Sequence, residues 1–106
     1  MKIIIPTQTG ESFKNKIFKY VEDENLKTWL IRKDSDGNKF LTHKPDQWYD
    51  LALIGFSIKQ NQLEVYLNWW KGKEPNEDVK GYYIGRFVEI LLVHFKNDFI
   101  NFTISK

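Results

Sequence analysis

The run Leu63-Glu64-Val65-Tyr66-Leu67-Asn68-Trp69-Trp70 constrains the fold more than any other segment of this chain. Its residues alternate with period two, and neighbouring side chains of a β-strand point to opposite faces. Leu63, Val65, Leu67 and Trp69 therefore share one face, which is expected to pack inward. Glu64, Tyr66, Asn68 and Trp70 share the other. One strand cannot send both indoles into the same core. The second face is left with an aromatic pair, Tyr66 and Trp70, that another element must cover or that serves for binding.

Neighbouring segments extend this strand into a sheet. Trp48–Lys59 reads as its hairpin partner across the polar Gln60-Asn61-Gln62 tip, because Ile54, Phe56 and Ile58 alternate with Gly55, Ser57 and Lys59 and match the inward set. Gly55, set opposite a bulky aromatic face, predicts a bulge or a close approach. Ile3-Ile4-Ile5, closed by Pro6, is a short first strand. A second hairpin is expected from Lys27–Lys33 and Lys39–Thr42 around Asp34-Ser35-Asp36-Gly37-Asn38, where Gly and Asn accept positive φ and Asp caps backbone amides. Pro45-Asp46-Gln47 marks a break before Trp48.

Two segments carry helical periodicity. After Thr9-Gly10-Glu11-Ser12, the residues Phe13, Ile17, Phe18 and Val21 recur at helical spacing, and a helix is preferred there over a strand across Lys16–Glu22. Pro75 or Asn76 opens a longer helix, with Glu77 and Asp78 at the positive end of its dipole. Val79, Tyr83, Phe87 and Leu91 form its stripe, broadened by Ile84, Val88, Leu92 and Phe95. Asn97-Asp98 ends it, and Phe99–Ile104 resumes strand-like alternation. Gly81 and Gly85 lie one above the other on this helix and predict a close approach to the sheet, since glycine inside a helix costs roughly 1 kcal/mol relative to alanine. The expected fold is α+β: a single domain over residues 1–106, mainly antiparallel β-sheet, packed on one long C-terminal helix and a shorter N-terminal one.

Composition narrows the function classes. The 106 residues suit one domain with one core. An aromatic fraction of 16% is high, so rings beyond those the core can hold point to a contact surface. The net charge of +2 is spread over both halves, without the basic stripe of a nucleic-acid binder. Arg32 and Arg86 are the only arginines, which leaves little for bidentate phosphate or base readout. The absence of cysteine excludes disulfides, thiolate metal sites and cysteine nucleophiles, and it fits a reducing compartment. Met1–Pro6 is too short in apolar residues for a signal peptide, and Ile90–Val93 falls far below the ~18 residues of a membrane span. A cytoplasmic protein without membrane contact is expected.

Catalytic patterns are poorly represented. No phosphate loop, nucleophile elbow, dinucleotide glycine pattern or metal-spaced histidine pair occurs, so neither enzymatic activity nor a cofactor or metal is expected. His43 and Asp46 are the one pair that resembles a dyad, but the proline-containing turn between them favours a surface histidine. His94, late in the long helix, suits a capping or core role. Asp34-Ser35-Asp36-Gly37 superficially resembles a calcium loop; its glycine comes fourth rather than sixth, and Pro45 stands where the bidentate acid belongs. Glu22, Asp23 and Glu24, followed by Asp34 and Asp36, form either solvated loops or an acidic patch for a basic partner. Tyr66, Trp70, Lys71 and Lys73 combine rings with cations, which suits a protein hot spot or the stacking of single-stranded nucleic acid.

A short, cysteine-free α+β chain, rich in aromatic residues and in lysine, isoleucine and asparagine but with Ala52 as its single alanine, is similar in character to immunity proteins of bacterial contact-dependent growth inhibition systems. The segment Gly81-Tyr82-Tyr83-Ile84-Gly85-Arg86-Phe87-Val88-Glu89 gives the resemblance its texture without being a diagnostic motif. The resemblance implies a protein-binding antagonist that neutralises a cognate toxin by occluding its active site or substrate surface, with no chemistry of its own. Tyr66, Trp70, Lys71 and Lys73, together with Glu22, Asp23, Glu24, Asp34 and Asp36, are the residues expected to meet that partner. Immunity proteins against basic nuclease toxins are commonly acidic, whereas this chain is +2, so its acidity is local or its toxin is not strongly basic.

Overall fold

A computed structural model describes residues 1–106 and places six strands and two helices in the order β1 (Lys2–Pro6), α1 (Gly10–Glu22), β2 (Trp29–Lys33), β3 (Lys39–His43), β4 (Leu53–Lys59), β5 (Gln62–Asn68), α2 (Glu77–His94) and β6 (Thr103–Ser105), with a 3₁₀ turn at Asp46–Trp48. The strands form one antiparallel sheet in the order β2-β3-β4-β5-β1-β6. The first strand is thus a central one, inserted between β5 and the short C-terminal β6. The fold is α+β, as the patterning predicts.

The register explains which residues are buried. Ile3 pairs with Val65, which pairs with Phe56, while Ile5 pairs with Leu63, which pairs with Ile58. Ile54 sits between Leu41 and Leu67. These rows form one apolar face, and both helices lie on it. The Phe56 ring meets Phe18 of α1 at 5.2 Å and Phe87 of α2 at 5.9 Å. The helices touch each other through Phe13 and Tyr20 of α1 against Phe95, just past the end of α2. Ile3, Ile5, Ile17, Ile54, Leu63, Val65, Phe87 and Leu91 make up the centre of a single core cluster.

Local chemistry sets the element ends. The Asn76 side chain accepts a hydrogen bond from the Val79 amide at 3.0 Å and caps α2, with Glu77 and Asp78 in the first turn. Asp34 Oδ1 accepts from the amides of Asp36 and Asn38, both at 2.9 Å, and closes the β2–β3 turn with Gly37 at φ +84°. Helix α1 covers residues that a strand reading of Lys16–Glu22 would have claimed.

Several boundaries differ from the sequence expectation. The strand expected over Trp48–Lys59 begins only at Leu53. Trp48 instead ends the 3₁₀ turn and stacks on Tyr82 of α2, with ring centroids 3.9 Å apart and planes 12° from parallel. That contact, together with the Tyr83 hydroxyl, pulls residues 46–52 away from the sheet. Helix α2 stops at His94, before the Asn97-Asp98 pair, and only Thr103–Ser105 of the following segment joins the sheet. Leu92, assigned to the buried stripe, is 53% exposed.

The glycines of α2 overturn an expectation. A Cβ at Gly81 or Gly85 would meet nothing within 4 Å, so neither is there to admit the sheet. Both face solvent on a helix whose interior would be better served by alanine. Replacing either one, Gly81→Ala or Gly85→Ala, is expected to raise stability by about 0.5–1 kcal/mol in urea denaturation, because a helical position without crowding gains from a less flexible unfolded chain. Tyr83 is the opposite case. It is fully buried; its hydroxyl donates to the Trp48 carbonyl and accepts from the Leu51 amide at 3.2 Å. Tyr83→Phe leaves those loop groups without a partner and is expected to lower stability by about 1–3 kcal/mol in the same measurement.

Candidate interaction surface

With both helices packed on the apolar face, the other face of the sheet carries no helix of its own, although Phe40 and Tyr66 border a pocket shared with Lys14, Asn15 and Phe18 of α1. The register places Lys2, Tyr66 and Gly55 in one row of that face, Ile4, Glu64 and Ser57 in the next, and Asn68 beside Leu53. Arg32 and Phe40 form a row nearer the β2 edge. Phe40 and Leu53 are buried yet stand outside the core cluster, as expected for residues on the far face.

Gly55 is the close approach that its position predicts. A Cβ there would lie 2.5 Å from Cζ of Tyr66, so the Tyr66 ring rests directly over the glycine. Trp70 lies just beyond the end of β5 and is half-buried. Its indole N–H donates to Asp50 Oδ1 at 3.3 Å, and the same carboxylate receives Arg32 at 3.0 Å through Nη2. The Arg32 guanidinium also donates to the Tyr49 hydroxyl at 3.2 Å and lies 5.6 Å from the centre of that ring. The hydrogen bond and charge of Asp50 strengthen proton retention by Arg32. Asp50 adopts φ +57°, a left-handed conformation that Asp tolerates better than most residues. That turn directs the carboxylate between β2 and the end of β5.

With Tyr66 on the same face, seated over Gly55, Asp50 thus gathers Tyr49, Trp70 and Arg32 into one patch. Its cations are neutralised locally, Arg32 by Asp50 and Lys2 by Glu64 at 3.2 Å. Lys2 and Gln62 both donate to Glu64 and hold its carboxyl below its ordinary pKa.

Of the residues singled out in the sequence, Tyr66 and Trp70 share this face. Lys71 and Lys73 are exposed in the following loop, where the Lys73 amide donates to the Trp70 carbonyl at 2.9 Å and Gly72 takes φ +74°. The acidic residues lie elsewhere. Glu22 meets Lys39 at 3.5 Å and Asp23 meets Lys19 at 3.1 Å, at the end of a helix on the covered side. Glu24 and Asp36 are exposed, while Asp34 is occupied in its turn, with its pKa held down first by Asn38. Trp69 departs from the inward role assigned to it: it is half-buried outside the core cluster, with the Lys80 ammonium 5.0 Å from its ring centre. The strand ends at Asn68, so its alternation no longer fixes either indole.

Arg32, Tyr49 and Asp50 escape sequence reasoning because the patch joins a strand, a turn and a strand end far apart in the chain. Asp50 in particular belongs to no periodic pattern, and its positive φ has no signature in the residue itself.

His43 also departs from expectation. It is 2% exposed, and neither ring nitrogen has a hydrogen-bond partner. Its ring lies 4.1 Å from Trp29, 5.0 Å from Tyr82 and edge-on to Tyr83 at 5.1 Å, whereas Asp46 stays exposed in the 3₁₀ turn. Burial pushes the imidazole pKa down to about 4. The Thr28 carbonyl, which also accepts from the Lys44 amide at 2.8 Å, opposes that shift. His94 is exposed and tilted against Tyr20 at 5.5 Å.

Folded His43 therefore takes up a proton only near pH 4, against 6.5 in an unfolded chain. Between those values the unfolded state holds more protons, so stability falls as pH drops. From pH 6.5 to 4.5 the loss is expected to be about 2–3 kcal/mol. His43→Phe should flatten urea midpoints over that window, whatever its effect at pH 7. No family model matches this chain, and no curated protein or solved structure matches it significantly, so its function has to be read from its own surface.

Proposed function

We propose that this chain is a protein-binding antagonist of the toxin-immunity type, acting through the helix-free face of its sheet. The observation that carries the reading is the Asp50-centred patch. Tyr, Trp and Arg dominate the energetics of protein interfaces, and here Tyr49, Tyr66, Trp70 and Arg32 are gathered on one face and held in place before any partner arrives. Local pairing of Arg32 and Lys2 leaves the patch close to neutral, which favours an aromatic protein contact over a track of phosphates. Such a domain neutralises a toxin by covering the surface the toxin needs, without catalysis of its own.

The exposed Lys71 and Lys73 beside Trp70 favour a second reading, the binding of single-stranded nucleic acid. The two readings part in their response to salt. Binding that releases counterions weakens steeply with ionic strength, whereas an aromatic protein contact changes little.

The test is co-expression with the product of any toxin gene that lies upstream of this one, followed by size exclusion and a growth assay. A stable complex and protection from toxicity are expected. Trp70→Ala and Tyr66→Ala should each weaken the complex by about 30-fold or more, the effect of losing a hot-spot ring of about 2 kcal/mol. Gly55→Ala, which pushes the Tyr66 ring from its seat, should weaken it as well. Unaltered toxicity in the presence of the folded protein sinks the proposal, and salt-sensitive binding of an oligonucleotide with no protein complex supports the alternative.

A further inference from the structure

On the helix side of the sheet, where β2 and β3 approach α2, a cleft of about 430 Å³ lies between Trp29, His43, Tyr82, Arg86 and Ile90. Its volume is within the range of small-molecule sites. Buried polar groups are nearly always hydrogen-bonded, and an orphaned one costs free energy. His43 breaks that rule with both ring nitrogens while lining the cleft. At neutral pH the imidazole offers one N–H donor and one acceptor nitrogen; the Thr28 carbonyl is the one protein group near enough to bear on the donor, and the acceptor nitrogen has no protein partner.

The other walls state what would complete it. Trp29 and Tyr82 supply aromatic surface, and Ile90 and Val93 supply apolar surface. Lys27 and Arg86 are exposed cations of the lining, against Glu89 as its single carboxylate, 3.3 Å from Arg86. The Arg86 guanidinium rests 5.2 Å from the centre of the Tyr82 ring, which holds it at the cleft. We propose that this cleft binds a small aromatic carboxylate, its ring against Trp29 and Tyr82, a ring hydroxyl hydrogen-bonded to His43, and its carboxylate at Arg86 and Lys27. The site is separate from the helix-free face, and it stands whether or not that face binds a toxin.

The experiment is a titration of ¹⁵N-labelled full-length protein with 4-hydroxyphenylacetate, with phenylacetate as the compound lacking the hydroxyl. Saturable shifts of the Thr28, Trp29, Arg86 and Ile90 amides are expected, with a dissociation constant of about 1 mM for so small a ligand. Phenylacetate, and the exposed-site variant Arg86→Ala with the hydroxylated compound, should each bind about three- to tenfold more weakly, the effect of one lost polar contact. His43→Phe should abolish the difference between the two compounds. The proposal is overturned if shifts do not saturate, if they fall on the Gly55 and Tyr66 face instead, or if both compounds bind the wild type and Arg86→Ala equally.

Discussion

Two helices on one face of a six-stranded sheet leave the other face to manage on its own, and most of what distinguishes this protein follows from that. The covered face obeys ordinary hydrophobic logic: alternating apolar residues of β1, β4 and β5 meet Phe18 and Phe87, and the core closes around Phe56. The other face carries large rings without a layer to receive them. It handles them by pairing rings with backbone and charge, Tyr66 over Gly55 and Trp70 on Asp50. Rings fixed in that way lose little freedom on meeting a partner, which is what makes an aromatic surface useful for binding.

The segment between β3 and β4 makes this possible. The Tyr83 hydroxyl uses its proton on the Trp48 carbonyl, and the Thr42 hydroxyl uses its own on the Ala52 carbonyl at 2.7 Å. The two oxygens approach to 3.2 Å with both protons already committed. With Trp48 stacked on Tyr82, residues 48–52 are held from the helix side, and Asp50 is carried across to the other face. A polar cluster under α2 therefore determines where Arg32 and Trp70 stand.

What the sequence made legible was periodic. The alternation of Ile54–Ile58 against Leu63–Leu67, the spacing of Phe13, Ile17 and Val21, and the Asn76 cap each rest on local rules, and each appears where those rules put it. The aromatic contacts that join the helices to the sheet and to each other have no local signature, but the residues making them can be named. Legibility failed wherever a residue's role came from a distant element. Extending the alternation to Trp69 fails because the strand stops at Asn68. His43 looked like a surface residue because the proline turn beside it gives no sign that Trp29 and Tyr82 close over the ring. Gly81 and Gly85 suggested a tight helix–sheet contact, but the sheet approaches a different side of α2.

Those two glycines bear on how the helix should be understood. An exposed glycine in a helix interior weakens it, and neither a positive φ nor a crowded Cβ explains either one. The same turn of helix carries Tyr82 and Arg86, which face the His43 cleft. Helix α2 is thus stiff where Tyr83, Phe87 and Leu91 anchor it and weakest on its outer side opposite those anchors. Rigidity is concentrated at Tyr83, from which the loop and Asp50 take their positions. Tyr82 belongs to both regions, since one contact stacks it on Trp48 of the loop and another sets it against His43 in the cleft. One helix thereby links the two surfaces, because a change at Tyr82 would reach the loop that carries Asp50.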